Sequence, residues 1–231
     1  MGPKTRLMVF DYQAARLVVG IIAFTLPFAV RFIYGKQLSS ISDYYYTDAR
    51  DVLVGMLFIV GSFLFAYNGH DTCQCIASKI ASLAAILAAL CPTKCCGCDE
   101  NFISIIHYCS ATTLFLILTY FCLGPFSAGA KGKEKREEKG IVKINEKAKL
   151  RRFIYQRCGH IMIVCMAIMI LNAVLAIVFK IDLETLRITY WGELVSLVAF
   201  GTAWMTASKA FRVVANEDEV LFKRKKLKVG S

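Results

Sequence analysis

Ile161-Met-Ile-Val-Cys-Met-Ala-Ile-Met-Ile-Leu-Asn-Ala-Val-Leu-Ala-Ile-Val-Phe179 runs for 19 residues without a charged side chain. A stretch of that length and character matches the hydrocarbon thickness of a bilayer, which an α-helix crosses in about 20 residues. Five more stretches come close to the same length: approximately 14–34, 51–68, 75–91, 103–123 and 189–210, with the quoted run belonging to 155–179. The expected fold is therefore all-α, an integral membrane bundle of about six transmembrane helices. Composition agrees, since 57% of the 231 residues are hydrophobic and 19% charged, against about 45–50% and about 25% for soluble domains.

Working outward, residues 1–13 read as an N-terminal tail, 14–210 as the six-helix domain and 211–231 as a basic tail. A basic loop is expected at about 124–154. Lys4 and Arg6 precede an apolar run as in a signal peptide, but no small-residue cleavage site follows Leu17–Val30, so the run reads as the first span with Pro27 inside it. Lys79 near one end of the third span is expected to send its ammonium to the headgroups. Alanines at close spacing along that span (Ala77, Ala81, Ala84, Ala85, Ala88, Ala89) form a helix-packing face.

Orientation follows from basic residues counted by loop. With six spans, 22 of the 28 Lys and Arg residues fall on the side that carries both termini, the His70 turn and residues 124–157. That side is expected to be cytoplasmic, in the inner (plasma) membrane of the cell. The net charge of +11 concentrates in Lys131–Arg152 and Lys223–Lys228, which are expected to meet anionic inner-leaflet headgroups. Neither stretch carries the aromatic or recognition element that nucleic-acid binding would need, so the expected partner is membrane lipid. Homo-oligomers are left open.

Ten cysteines are present. Cys91, Cys95, Cys96 and Cys98 crowd one outer loop, where disulfides or free thiols fit better than a metal because paired Cys-x-x-Cys units and a loop histidine are missing. Cys109, Cys122, Cys158 and Cys165 lie within spans as small hydrophobes.

The most polar connection is Ser39-Ser-Ile-Ser-Asp-Tyr-Tyr-Tyr-Thr-Asp-Ala-Arg-Asp51, between the first two spans. One reading is an interfacial aromatic belt with an acidic helix start. The functional reading is a ligand pocket at the outer leaflet, because the topology brings His107 and Glu193 to the same depth. Its expected residues are Ser42, Asp43, Tyr44, Tyr45, Arg50, Asp51, His107, Trp191 and Glu193, with Arg31 or Arg50 as the partner of Glu193, since ionisable groups inside a membrane are usually paired. His70 and His160 belong to the opposite face, about 30 Å away, which argues against a three-histidine zinc site. No cofactor and no resident metal are expected, and no nucleotide-binding or hydrolase motif is present.

Ser40–Gly55, Phe65–Gly69, Ala89–Thr93, Ile154–Gly159 and Tyr190–Gly201 together resemble a family of uncharacterised bacterial six-span proteins. Those read Ser-x-Tyr-Tyr-[His/Tyr]-Thr with a following Arg-Asp, and Trp-x-Glu with a later Phe-Gly-x-x-Trp on the last helix. Ser42, Tyr44, Tyr45, Thr47, Arg50, Asp51, Trp191, Glu193 and Trp204 match, and Tyr46 stands where many relatives have histidine. A looser likeness is to the alkaline ceramidase and adiponectin-receptor superfamily, which would imply a membrane-embedded, metal-dependent hydrolase of lipid amides or headgroups using Ser42, Asp43 and His107. The functional expectation is binding or transport of a small molecule, lipid or ion. A metal-dependent hydrolase and a structural or assembly subunit are the alternatives.

Overall fold

A computed structural model describes residues 12–69, 71–94, 101–138, 141–179 and 184–216. Expectations for His70, for Cys95, Cys96 and Cys98, for Lys223–Lys228 and for the extreme N-terminal tail lie outside these residues. Helices α1 (Tyr12–Tyr34), α2 (Arg50–Ala66), α3 (Thr72–Leu90), α4 (Phe102–Phe121), α5 (Ser127–Lys131), α6 (Glu146–Val178) and α7 (Ile188–Ser208) account for most of the chain. Four segments are long and apolar enough to cross a membrane: Gln13–Tyr34, Thr72–Leu90, Phe102–Lys131 and Glu146–Val178.

Each turn at the bundle ends has a local cause. Asp71 caps α3 by accepting from the Gln74 amide at 2.8 Å. Asn101 and Ser104 form a reciprocal capping box at the start of α4, satisfying donors that a helix N-terminus otherwise leaves unpaired. The Lys79 ammonium bonds the Phe65 carbonyl and Asn68 Oδ1 and lies over the Phe65 ring, closing the C-terminal end of α2.

The segment read as a basic loop at 124–154 is ordered, and it adds one short hairpin to an otherwise all-helical fold. Helix α4 continues through a π-helical turn at Cys122–Phe126 into α5. A two-stranded antiparallel hairpin follows, β1 (Lys135–Glu138) with β2 (Ile141–Ile144), pairing Lys135 with Ile144. Asn145 then caps α6. Loop composition hid this, because good helix formers such as Glu, Lys, Ala and Leu in 146–150 carry α6 several turns outside its apolar run. Lys147 donates to the carbonyls of Arg212 and Ala215 and Arg151 to that of Val214, while Arg152 pairs with Glu134 at 3.2 Å. These three cations have partners within the chain.

Helices α1 and α7 run antiparallel along one another, with Arg16 near Ala207 at one end and the Tyr190 amide on the Ser39 carbonyl at the other. Between these points the backbones touch: a Cβ on Gly201 would lie 2.7 Å from the Gly20 oxygen. Close approach of this kind strengthens van der Waals packing where lipid supplies no hydrophobic drive. The hairpin end holds a dense aromatic core of Tyr67, Phe121, Phe126, Tyr155, Phe200 and Trp204, with Arg16 over the Tyr67 and Phe126 rings and bonded to the Tyr67 hydroxyl. Leu26, Val30, Ile41, Tyr44, Ala49, Leu53 and Tyr190 form the core of the opposite end, and that end carries the candidate site.

Candidate functional site

The α1–α2 connection, the start of the α3–α4 connection and the first turns of α4 and α7 meet at one end of the bundle. A 3-10 turn at Ser42–Tyr46 holds the polar segment there. Its anchor is Tyr44, fully buried, whose hydroxyl donates to the Lys36 carbonyl at 2.8 Å and whose ring meets Tyr34 edge-on. Burial raises the Tyr44 phenol above its ordinary value of 10.0, and the neighbouring Tyr190 adds to the effect, so this donor stays protonated.

Glu193, one turn into α7, holds the same segment from the other side. Its Oε2 accepts from Ser40 Oγ at 2.8 Å and from the Ile41 amide at 2.6 Å, whereas Oε1 has a longer contact of 3.5 Å with Ser42 Oγ. The cation expected beside it is absent from this set. Arg31 donates to Gln37, and Arg50 donates to the Tyr45 hydroxyl with its guanidinium over that ring. Both cations are exposed, where water solvates them at no cost, and neutral donors from the loop satisfy the carboxyl instead.

His107, 5% exposed, lies in the second turn of α4. Its Nδ1 is 2.7 Å from the Cys91 carbonyl and its Nε2 3.0 Å from Ser42 Oγ. A carbonyl only accepts, so Nδ1 carries the proton, and in the neutral ring Nε2 receives the Ser42 hydroxyl proton. Both nitrogens are engaged. Asp43 is turned aside, accepting from Thr93 Oγ1 at 3.2 Å, and Tyr46 donates to the Thr93 carbonyl at 2.5 Å. Ser42, Asp43 and His107 are thus not arrayed around a common metal position, and among the described residues no three His, Cys, Asp or Glu side chains form a candidate metal cluster.

A partly open cavity of about 60 Å³ lies among these groups. Ser42, Tyr45, His107 and Glu193 line its polar side, and Leu26, Leu53, Leu57, Leu114, Phe115 and Leu197 contribute to its apolar wall. Its volume is well under the roughly 150 Å³ of an apolar cavity that admits benzene, so it takes a group of a few heavy atoms.

Of the residues expected at the site, Ser42, Tyr45, His107 and Glu193 converge on this cavity, and Asp43 stands behind them through Thr93. Tyr44 is a structural anchor and Arg50 braces Tyr45. Asp51 is exposed in the first turn of α2, and Trp191 is 49% exposed against Tyr190. Neither lines the cavity. The sequence reading missed Ser40, Thr93, the Ile41 amide and the Cys91 carbonyl. Ser40 was legible as half of a serine pair; the two backbone groups have no side-chain signature. No protein-family profile, curated protein or solved structure matches the chain.

Proposed function

We propose that the chain is a six-span plasma-membrane protein, with both termini cytoplasmic, that binds a small polar group in the cavity at its outer end. The span count draws support from α7, which follows α1 from Ala207 to Tyr190 and so covers the same thickness. The 17 residues of α2 reach the lower limit of about 17 for a span. Exposed Lys131, Lys135 and Lys149 fall on the hairpin side, consistent with a surface that meets anionic lipid.

One observation carries the binding reading: Glu193 lines the cavity with one oxygen saturated and the other still able to accept. A carboxyl in an apolar setting with no cation beside it among the described residues favours a ligand that brings donors. The ligand is therefore an ammonium or hydroxyl-bearing group, carried either by a free solute or by the end of an amphiphile. Mass spectrometry of organic extracts from detergent-purified protein tests the amphiphile, and thermal stabilisation by a panel of small amines and polyols tests the solute. Glu193→Gln should remove whichever signal is found. A clean extract together with no stabilisation by any of the panel would sink the reading.

A further inference from the structure

We infer that Ser42 is an acylatable nucleophile with His107 as its general base, so that the cavity hydrolyses short acyl esters without a metal. The inference rests on the same cavity as the binding reading. It goes beyond that reading in assigning chemistry to two of the lining groups.

Three relationships carry it. Ser42 Oγ lies 3.0 Å from His107 Nε2, within the reach a general base needs. The Cys91 carbonyl at 2.7 Å from Nδ1 fixes the tautomer that leaves Nε2 basic, the orienting role a third group plays in nucleophile and base pairs. Both side chains border a cavity that can hold the reacting carbonyl. A structural serine–histidine contact has no need of this last feature.

The step balances within these groups plus water. Ser42 Oγ bonds to the ester carbonyl carbon as its proton moves to His107 Nε2. The C–O bond to the alcohol then breaks, and the imidazolium returns the proton to the leaving oxygen. Water attacks the acyl carbon, gives its proton to His107, and Ser42 leaves with that proton restored. Tyr45 lines the cavity and accepts from Arg50 through its oxygen, so its phenol is the donor assigned to the carbonyl oxygen as negative charge develops there.

Cavity size selects the substrate class. At about 60 Å³ the cavity encloses an acetyl-sized acyl group, which it favours over a long acyl chain.

Methanesulfonyl fluoride, which is small enough to enter, is the probe. On the full-length protein in detergent it should form a sulfonate at Ser42 with loss of fluoride, located by peptide mass spectrometry. His107→Gln should slow the labelling by about 100-fold or more, and Ser42→Ala should abolish it. Turnover of 4-nitrophenyl acetate should exceed that of the octanoate. If either variant is unstable, the labelled peptide of the unmodified protein decides the matter alone. No label at Ser42 on a monodisperse preparation overturns the inference. Ligand binding lost in Glu193→Gln would then still stand separately.

Discussion

Ser42 and His107 are 65 positions apart, and their Oγ and Nε2 atoms stand 3.0 Å from each other. Ser42 comes from a 3-10 turn between α1 and α2, while His107 projects from α4. Glu193 of α7 draws that turn inward, so three separate parts of the chain determine one distance.

Replacing Glu193 with leucine should therefore damage the fold as well as the site. It would strand the Ile41 amide and the Ser40 hydroxyl, each at about 1–3 kcal/mol for an unsatisfied buried donor. Thermal unfolding in detergent should show a clear loss for Glu193→Leu and a much smaller one for Glu193→Gln, which keeps an acceptor oxygen. Equal losses would contradict the role given to those two bonds.

The α1–α7 contact sets a second expectation. A Cβ on Gly201 meets the Gly20 oxygen at 2.7 Å and the Phe24 nitrogen at 2.8 Å, both backbone atoms that cannot rotate away. Gly201→Val should destabilise by at least the roughly 1–3 kcal/mol typical of overpacking. Gly55→Ala, where nothing lies within 4 Å of the added carbon, serves as the control and should be near neutral in the same melt.

At the hairpin end, Tyr67 accepts from Arg16 Nη2 at 2.9 Å. Tyr67→Phe keeps the ring contacts and removes only the oxygen, and a hydrogen bond to a charged group contributes about 1.5–3 kcal/mol. A melting temperature unchanged by Tyr67→Phe would mean that the ring contacts and the Ala207 carbonyl hold Arg16 without the phenolic oxygen.

Alkaline titration probes the turn that presents Ser42. Because burial raises the Tyr44 phenol in the folded state, its contribution to stability is complete below the ordinary value of 10.0 and is lost as pH rises through the higher folded value. Absorbance of phenolate should include a late-ionising contribution from Tyr44. Its ionisation should coincide with loosening of the Ser42–Tyr46 turn, and Tyr44→Phe should remove that late step.

The orientation can be read by labelling. Asp48 and Lys149 are both exposed and lie at opposite ends of the bundle. In a background with the ten native cysteines replaced, a membrane-impermeant maleimide applied to intact cells should modify Asp48→Cys and spare Lys149→Cys. Labelling of both from outside, or of Lys149→Cys alone, would reverse or break the proposed topology.

Sequence alone determined that the chain is built from apolar helices of membrane-crossing length, because such a run is a local property: 19 uncharged residues at 161–179 specify it wherever they pack. The helix positions followed, including α2 and α7, as did the expectation that the Ser39–Asp51 connection finds hydrogen-bond partners, since it places three tyrosines and three aspartates between apolar runs. Tertiary structure decided which of those residues share a site. Whether Glu193 meets Arg50 or the Ile41 amide, and whether His107 meets Asp43 or Ser42, depends on ångström-scale placement of side chains from different helices. Helix length does not encode that placement. The hairpin at 135–144 was hidden for a related reason: a short strand of mixed charge has no burial pattern of its own, and only pairing with its neighbour makes it a strand.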